Sequence, residues 1–470
     1  MLALSPQRYD TIHYGLICLA LSGVIAAVVL DEIWLSFLVP AVIVAGYMIL
    51  YNIRLLYGSL FMMIPLSAEI SLPGGLSTDL MGEPILWLLT GVTCVMLISS
   101  RLPTRLFSRV SFYLILHLIW IVISALFAFD TVIGLKYGLA KLWYVLPMYV
   151  LPFYLIRERS DVRFIFKCFI TGAILGALYF FYQHLQSDLS YASRTNAGQP
   201  IWRNHVNYAC TLILTLPLLW YLFKTSRHAD RWLYGLVGGV VLFFVYFAYA
   251  RIAYISLLAA CIYYLILKWK LTRPVIILLL SIAVFSSAWL KYEQRYLDFA
   301  PNFERTIMQG DFSSKISATA QGTDISTMER LHRWVAGGHM VTDNPITGVG
   351  PGNFHNSYRP YTVFSFETYV SDNPEKSGIH SHFLMILVEQ GILGLIFWLG
   401  LIISALIFIE RRYHDEQDSR ALLVFCGCTL AMILTINLVN DMIEVIKVGG
   451  LFFLILFLLQ SRLNKEDSLS

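Results

Sequence analysis

His380 and Ser381 stand where a polar stretch gives way to an apolar run, in residues 378–394, GIHSHFLMILVEQGILG. An imidazole at a membrane–water boundary is well placed to take a proton from a hydroxyl. A histidine alone at such a boundary more often caps a helix or makes a hydrogen bond. Upstream, in 330–354, Arg330 and Arg333 are three residues apart and share one face of a helix. Two guanidiniums on one face suit a diphosphate, because each can hold it with two parallel hydrogen bonds. The run N-P-I-T-G-V-G-P-G-N follows, with Gly348, Gly350 and Gly352 alternating with Val349 and Pro351. Such a turn lets backbone approach a ligand or a neighbouring helix closely, and by itself it reads first as a structural turn.

With a helix drawn through 380–394, His382 falls about 200° from His380, so one of the two faces a given site. Gly391 and Gly394 fall within about 40° of the His380 face and form a small-residue strip on which another helix could pack. Glu389 lies about 180° away and roughly 13 Å up the helix. It cannot orient His380 directly, and its cost inside a bilayer calls for a partner within a bundle.

The elements that must position these groups follow from composition. Of 470 residues, 57% are hydrophobic and only 14% charged, with a mean hydropathy of +0.67. A soluble chain carries roughly a quarter of its residues as charges, so the expected fold is an all-α polytopic membrane protein. The net charge of +4 and the lack of a basic tail give no footing for nucleic acid. The seven cysteines all lie in apolar runs, which argues against a disulfide framework or a zinc site. There is no D-x-D, no H-E-x-x-H and no P-loop, so neither a metal nor another cofactor is expected, and nucleotide-sugar chemistry is disfavoured.

A spanning helix needs about 20 apolar residues. Fourteen stretches qualify: 11–30, 33–53, 55–72, 84–100, 110–129, 137–156, 163–183, 205–223, 232–249, 252–268, 274–290, 381–409, 421–440 and 446–461. Interfacial pieces within 33–72 or 130–156 would lower the number to about twelve. The run 232–269 is too long for one crossing and is divided by a tight turn at Arg251. With the N-terminus inside, twenty of the 34 Lys and Arg fall on the inner side, and eight of the rest sit in one long loop. The short loops therefore obey the positive-inside bias, with both termini cytoplasmic. The chain reads as a single membrane domain over 1–470. It has a first outer loop at 184–204, a large outer loop at 291–380 and C-terminal helices over 381–470. The large loop carries Trp334, Tyr358, Tyr361, Phe364, Phe366 and Tyr369, which predicts an ordered segment.

The combination R-x-x-R-W…D-N-P-I-T-G-V-G-P-G-N-F, then H-S-x9-G-I-L-G, resembles the shared core of the O-antigen ligase and O-antigen polymerase family. His380, Ser381, Gly391 and Gly394 meet the spacing of its histidine motif. Arg251 in A-R-I-A-Y is similar to the family's arginine before a helix. Arg194 and Asn204-His205-Val206-Asn207 resemble the stretch after its first outer loop, with Arg194 or Arg203 in the arginine's place. The resemblance implies a GT-C-like fold and a metal-independent, inverting glycan transfer. The donor it implies is a glycan on undecaprenyl diphosphate, and the acceptor is a hydroxyl on lipid A-core or on another lipid-linked glycan. His380 would then serve as the base, and Arg194, Arg203, Arg251, Arg330 and Arg333 would bind the diphosphate. The site would face the periplasm from the cytoplasmic (inner) membrane, among membrane lipids. Ligase is the first reading, polymerase the second and a protein O-glycosyltransferase a third. A secondary transporter or flippase is the reading from another class. Few ionisable residues mid-membrane and an ordered outer loop speak against it.

Overall fold

The computed structural model describes residues 33–72, 76–189, 191, 193–299, 325–367, 371 and 377–463. The span expected at 11–30 and residues 300–324 of the large loop lie outside the described residues. The chain divides into two compact units, Met1–Phe61 and Met62–Ser470.

The helix Ile33–Met63 is bent at Asn52, where φ is −155° and ψ 76°. A short 3-10 turn, Ile64–Leu66, follows, and then an antiparallel hairpin, Glu69–Leu72 against Leu76–Asp79. The span expected at 55–72 is therefore not formed. Pro65 enters the 3-10 turn just past the last helical residue, where a helix cannot continue.

Among the described residues eight helices are long and apolar enough to cross a membrane. They are Arg109–Leu126, Thr131–Leu155, Arg159–Leu185, His205–Thr225, His228–Tyr246, Arg251–Lys268, Thr272–Phe299 and His382–Asp415. Three shorter apolar helices, Glu83–Ser99, Arg420–Ile436 and Ile446–Leu458, join them. Their ends are written in the sequence. Asp130 caps one start by accepting from the amides of Val132 and Ile133, and Asn204 caps another by accepting from Val206 and Asn207. Pro147 lies in a π-helical segment at Leu146–Val150 and Pro152 just past it, where the regular ladder lacks their amides.

Every residue of Ile446–Leu458 is buried, as befits a helix that is apolar on all sides but for Lys447 near its start. In Thr272–Lys291 only Thr272 is buried, and Ile277, Val284 and Phe285 stand 65%, 71% and 72% exposed. Leaving such side chains in water forfeits about 1.5–3 kcal/mol each, so this helix requires lipid. The chain is an all-α polytopic membrane protein.

The segment between the Thr272–Phe299 and His382–Asp415 helices is packed where it is described. Ala336, Met340, Val349, Phe354, Tyr358 and Ile379 form one apolar cluster with Met385 and Val388 of the His382–Asp415 helix. Tyr358 and Phe366 are buried, whereas Phe364 is exposed, and Tyr369 lies outside the described residues.

Candidate active site

The R-x-x-R-W residues lie on the helix Ile325–Asp343. Arg333 Nη1 donates to the Gly378 carbonyl at 3.0 Å, and Trp334 Nε1 donates to the Ile379 carbonyl at 3.0 Å. Arg330 Nε donates to the Val439 carbonyl at 3.3 Å. One turn of helix thus binds two separate strands of backbone, 378–379 and the 437–441 turn. Arg333 is buried and lies 3.6 Å from Glu329, four residues earlier on the same face. A buried guanidinium needs such a partner, because its desolvation is otherwise uncompensated.

The strand held at 378–379 ends in His380, whose φ is +57°. A non-glycine residue in the left-handed region persists where its surroundings impose it, at about 1 kcal/mol or more, and such residues cluster at functional sites. His380 is half-buried. Burial, then the positive charges of Arg333, Arg330 and Arg203, push its imidazole down to about 3. The ring is therefore neutral at physiological pH and carries a free lone pair. The left-handed turn also stops the helix from reaching back to it. The helix starts at His382, two residues later than a continuous run through His380 requires. His382 instead turns into the bundle, 4.9 Å from the Trp398 ring, with its amide donating to the Asn437 and Asn440 carbonyls at 3.0 Å.

The same helix is interrupted at Gly391, with φ 68° and ψ −170°. The glycine-rich run enters the interruption. Val349 and Gly350 amides donate to the carbonyls of Val388 and Glu389 at 3.0 and 2.9 Å, and the Ile392 amide donates to Pro345 at 2.9 Å. The Glu389 carboxylate accepts from the amides of Gly352 at 2.9 Å and Phe354 at 3.2 Å. These amides are the partner its burial calls for. The run thus approaches a helix. Gly391 faces this loop and not another helix, because a Cβ there would strike the Ile346 carbonyl. Gly394 does face a helix: its Cβ would lie 3.3 Å from Trp120 in Arg109–Leu126, and would crowd the Gln390 side chain of its own helix.

Arg203 and Arg333 also act on Asp441, whose carboxyl is pushed up by burial and drawn back by those two charges. A Cβ on Gly378 would strike its Oδ2. Just beyond, Glu444 accepts from Lys141 at 2.7 Å and from Tyr137 at 3.0 Å. His380, Arg203, Arg330, Arg333 and Asp441 therefore form one group at the mouth of the bundle.

Arg194 and Arg251 form a second pair. Burial lowers the Arg194 guanidinium, and Arg251 lowers it further. Arg194 stacks 3.4 Å from the Tyr191 ring centroid, and its Nε lies 3.3 Å from His205 Nε2. Arg251 opens its helix immediately after a turn containing Tyr249 at φ 52°. Between the two groups in sequence, the backbone before Arg203 is anchored by Lys447, which binds the Ile201 carbonyl and sits 5.2 Å over the Trp202 ring.

Residues 235–399 match the family model described as O-antigen ligase. Over those residues the chain is similar to the O-antigen ligase family. No curated protein matches it. The O-antigen ligase match spans Arg251, the arginine helix, the glycine-rich loop, His380 and the broken helix. Arg194, Arg203 and Asp441 lie outside it.

Asp441 was not among the residues singled out from sequence. The available signal was an acid in N-D-M-I-E between two apolar runs. Its neighbours His380 and Arg203 are remote along the chain, and proximity at that range is not written in spacing. Gly378→Ala tests the contact. The added methyl must displace the Asp441 carboxylate, and transfer is expected to fall about tenfold to a hundredfold with membrane abundance unchanged. Glycan gels normalised to protein level measure both.

Proposed function

We propose that the protein transfers a glycan from undecaprenyl diphosphate to a hydroxyl acceptor at the outer face of the cytoplasmic membrane, as an O-antigen ligase with lipid A-core as acceptor. The observation that carries this reading is His380, neutral and held in a left-handed turn beside Arg203, Arg330 and Arg333. The family match supports glycosyl transfer of the O-antigen ligase or polymerase kind.

In this reading His380 takes the acceptor hydroxyl's proton. The acceptor oxygen attacks the anomeric carbon from the face opposite the diphosphate, the bond from that carbon to the phosphate oxygen breaks, and the configuration inverts. The leaving diphosphate gains negative charge on its former bridging oxygen. Fixed cations stabilise that charge most where water is excluded. Arg203 and Arg330 are placed for this beside the base, and Arg194 and Arg251 for the outer phosphate or the first sugars. Arg333 is committed to Glu329 and Gly378, so it acts chiefly by holding the base's backbone while adding its charge. The segments 184–204 and 291–380 then face the periplasm, with both termini cytoplasmic.

Deletion of the gene followed by surface-glycan gels tests the assignment. Polymer that lacks a lipid A anchor is the expected result. A single repeat unit on the anchor would make the protein a polymerase, and an unchanged glycan ladder would overturn the proposal. In the complemented strain, Arg251→Ala is expected to raise the apparent KM for the lipid-linked donor by about tenfold or more. An unchanged KM would remove Arg251 from the donor site.

A further inference from the structure

We propose that the cleft between the start of the Arg159–Leu185 helix and the Thr225–Asp230 turn binds the phosphate of an anionic phospholipid, at a site separate from His380. The cleft has a volume of about 540 Å³. Arg163, Lys167 and Arg227 line it, against one carboxylate, Asp230. Arg163 and Lys167 are four residues apart and share a helix face. Lys167 and Arg227 are exposed. The Ser160 and Thr225 hydroxyls in the same wall donate to Glu158 at 3.0 Å and to the Tyr221 carbonyl at 2.8 Å, which leaves the cations as the groups for a phosphate. The third side is fixed by Ser226, whose hydroxyl accepts from Arg163 Nη2 at 3.4 Å and whose carbonyl accepts from Arg231 Nε at 3.3 Å.

Position and apolar surroundings select a lipid over a free anion. One membrane-crossing helix begins at Arg159, another ends at Thr225 and a third begins at His228. The cleft therefore lies at the level where the apolar zone of the bundle stops. Phe164, which lines it, is 38% exposed, and Trp232 and Leu233 in the first turns of the neighbouring helix are 67% and 45% exposed. Aromatic side chains at such a level mark the membrane interface. Basic pockets between helices at that depth bind acidic headgroups while the acyl chains follow the apolar helix faces. A soluble phosphate would use the cations and leave the aromatic wall idle.

The test uses purified full-length protein in a neutral detergent, titrated with dioleoyl phosphatidylglycerol, dioleoyl phosphatidylcholine or inorganic phosphate. Native mass spectrometry reads bound adducts, and thermal melting reads stabilisation. Phosphatidylglycerol is expected to give retained adducts and a raised Tm, and the other two are not. The variant Arg163→Gln, Lys167→Gln, Arg227→Gln is expected to bind phosphatidylglycerol on the order of a hundredfold more weakly, whereas the variant Arg163→Lys, Arg227→Lys preserves binding. If the triple variant fails to accumulate, Lys167→Gln alone, at an exposed position, is expected to weaken binding about fivefold. Unchanged phosphatidylglycerol binding in either variant would overturn the site. Equal stabilisation by inorganic phosphate would overturn its assignment to a lipid.

Discussion

His380→Ala is expected to lower glycan transfer by about a hundredfold to ten-thousandfold, the range a positioned general base supplies, while the protein inserts and accumulates as the wild type does. Stability should be little affected, because the residue is half-buried and its turn is imposed by others: Arg333 on Gly378, Trp334 on Ile379, and Asn437 and Asn440 on the His382 amide. Alanine keeps the Cβ that a left-handed backbone disfavours, so it changes that strain little, and it opens no large cavity. Transfer by membranes or purified protein, normalised to abundance, measures the effect. Wild-type levels of product would remove His380 from the chemistry.

The pH profile sharpens that result. In the free protein the imidazole is held down to about 3 by burial and three guanidiniums. A base with a lowered pKa stays deprotonated as pH falls, so kcat/KM is expected to show no acid limb from His380 between about pH 5 and 8. A bound diphosphate offsets the arginine charges and raises the imidazole toward its ordinary value. An acid limb should therefore emerge in kcat, which reports the loaded enzyme. An acid limb near pH 6.5 in kcat/KM would mean that the arginine field does not reach the base.

Gly391→Ala is expected to be the most damaging substitution for stability, by about 3 kcal/mol or more. With φ 68° and ψ −170°, the residue occupies a region open essentially to glycine alone, and the added methyl would strike the Ile346 carbonyl. Relief requires the loop to withdraw. Withdrawal strips the Glu389 carboxylate of the Gly352 and Phe354 amides, leaving a buried acid without those donors. Much reduced yield and a lowered Tm in detergent are the expected readouts. Gly394→Ala, which crowds the Gln390 side chain and meets Trp120 at 3.3 Å but lies outside the left-handed region, should be milder. Equal effects of the two would contradict the special role of the break.

Much of the class and part of the site were legible in the sequence, for identifiable reasons. Hydropathy and charge sidedness divide 232–269 at Arg251, and the helices His228–Tyr246 and Arg251–Lys268 separate there. The spacing of Arg330, Arg333 and Trp334 marks one helix face. What spacing does not encode is what the face binds, and here it includes the backbone beneath the histidine. The hairpin at 69–79 was hidden because its flanks are apolar enough to pass a spanning-length window. The start of the helix at His382 was hidden because the sign of a histidine's φ is set by tertiary contacts. Gly391 was read for its size, which suits close packing, yet the structure uses its freedom of φ. Asp441 joins His380 only through the fold.

The loop at 345–354 and the helix at 382–415 are stitched by hydrogen bonds that join Pro345, Val349, Gly350, Gly352 and Phe354 to Val388, Glu389 and Ile392, so they form one exchangeable part rather than two. This bears on chimaeras between relatives made to alter acceptor choice. A junction placed between the outer loop and the histidine helix would pair one parent's amides with the other's interrupted ladder. Crossovers should fall instead before Ile325 and beyond Asp415, so that the arginine helix, the glycine-rich loop and the interrupted helix travel together.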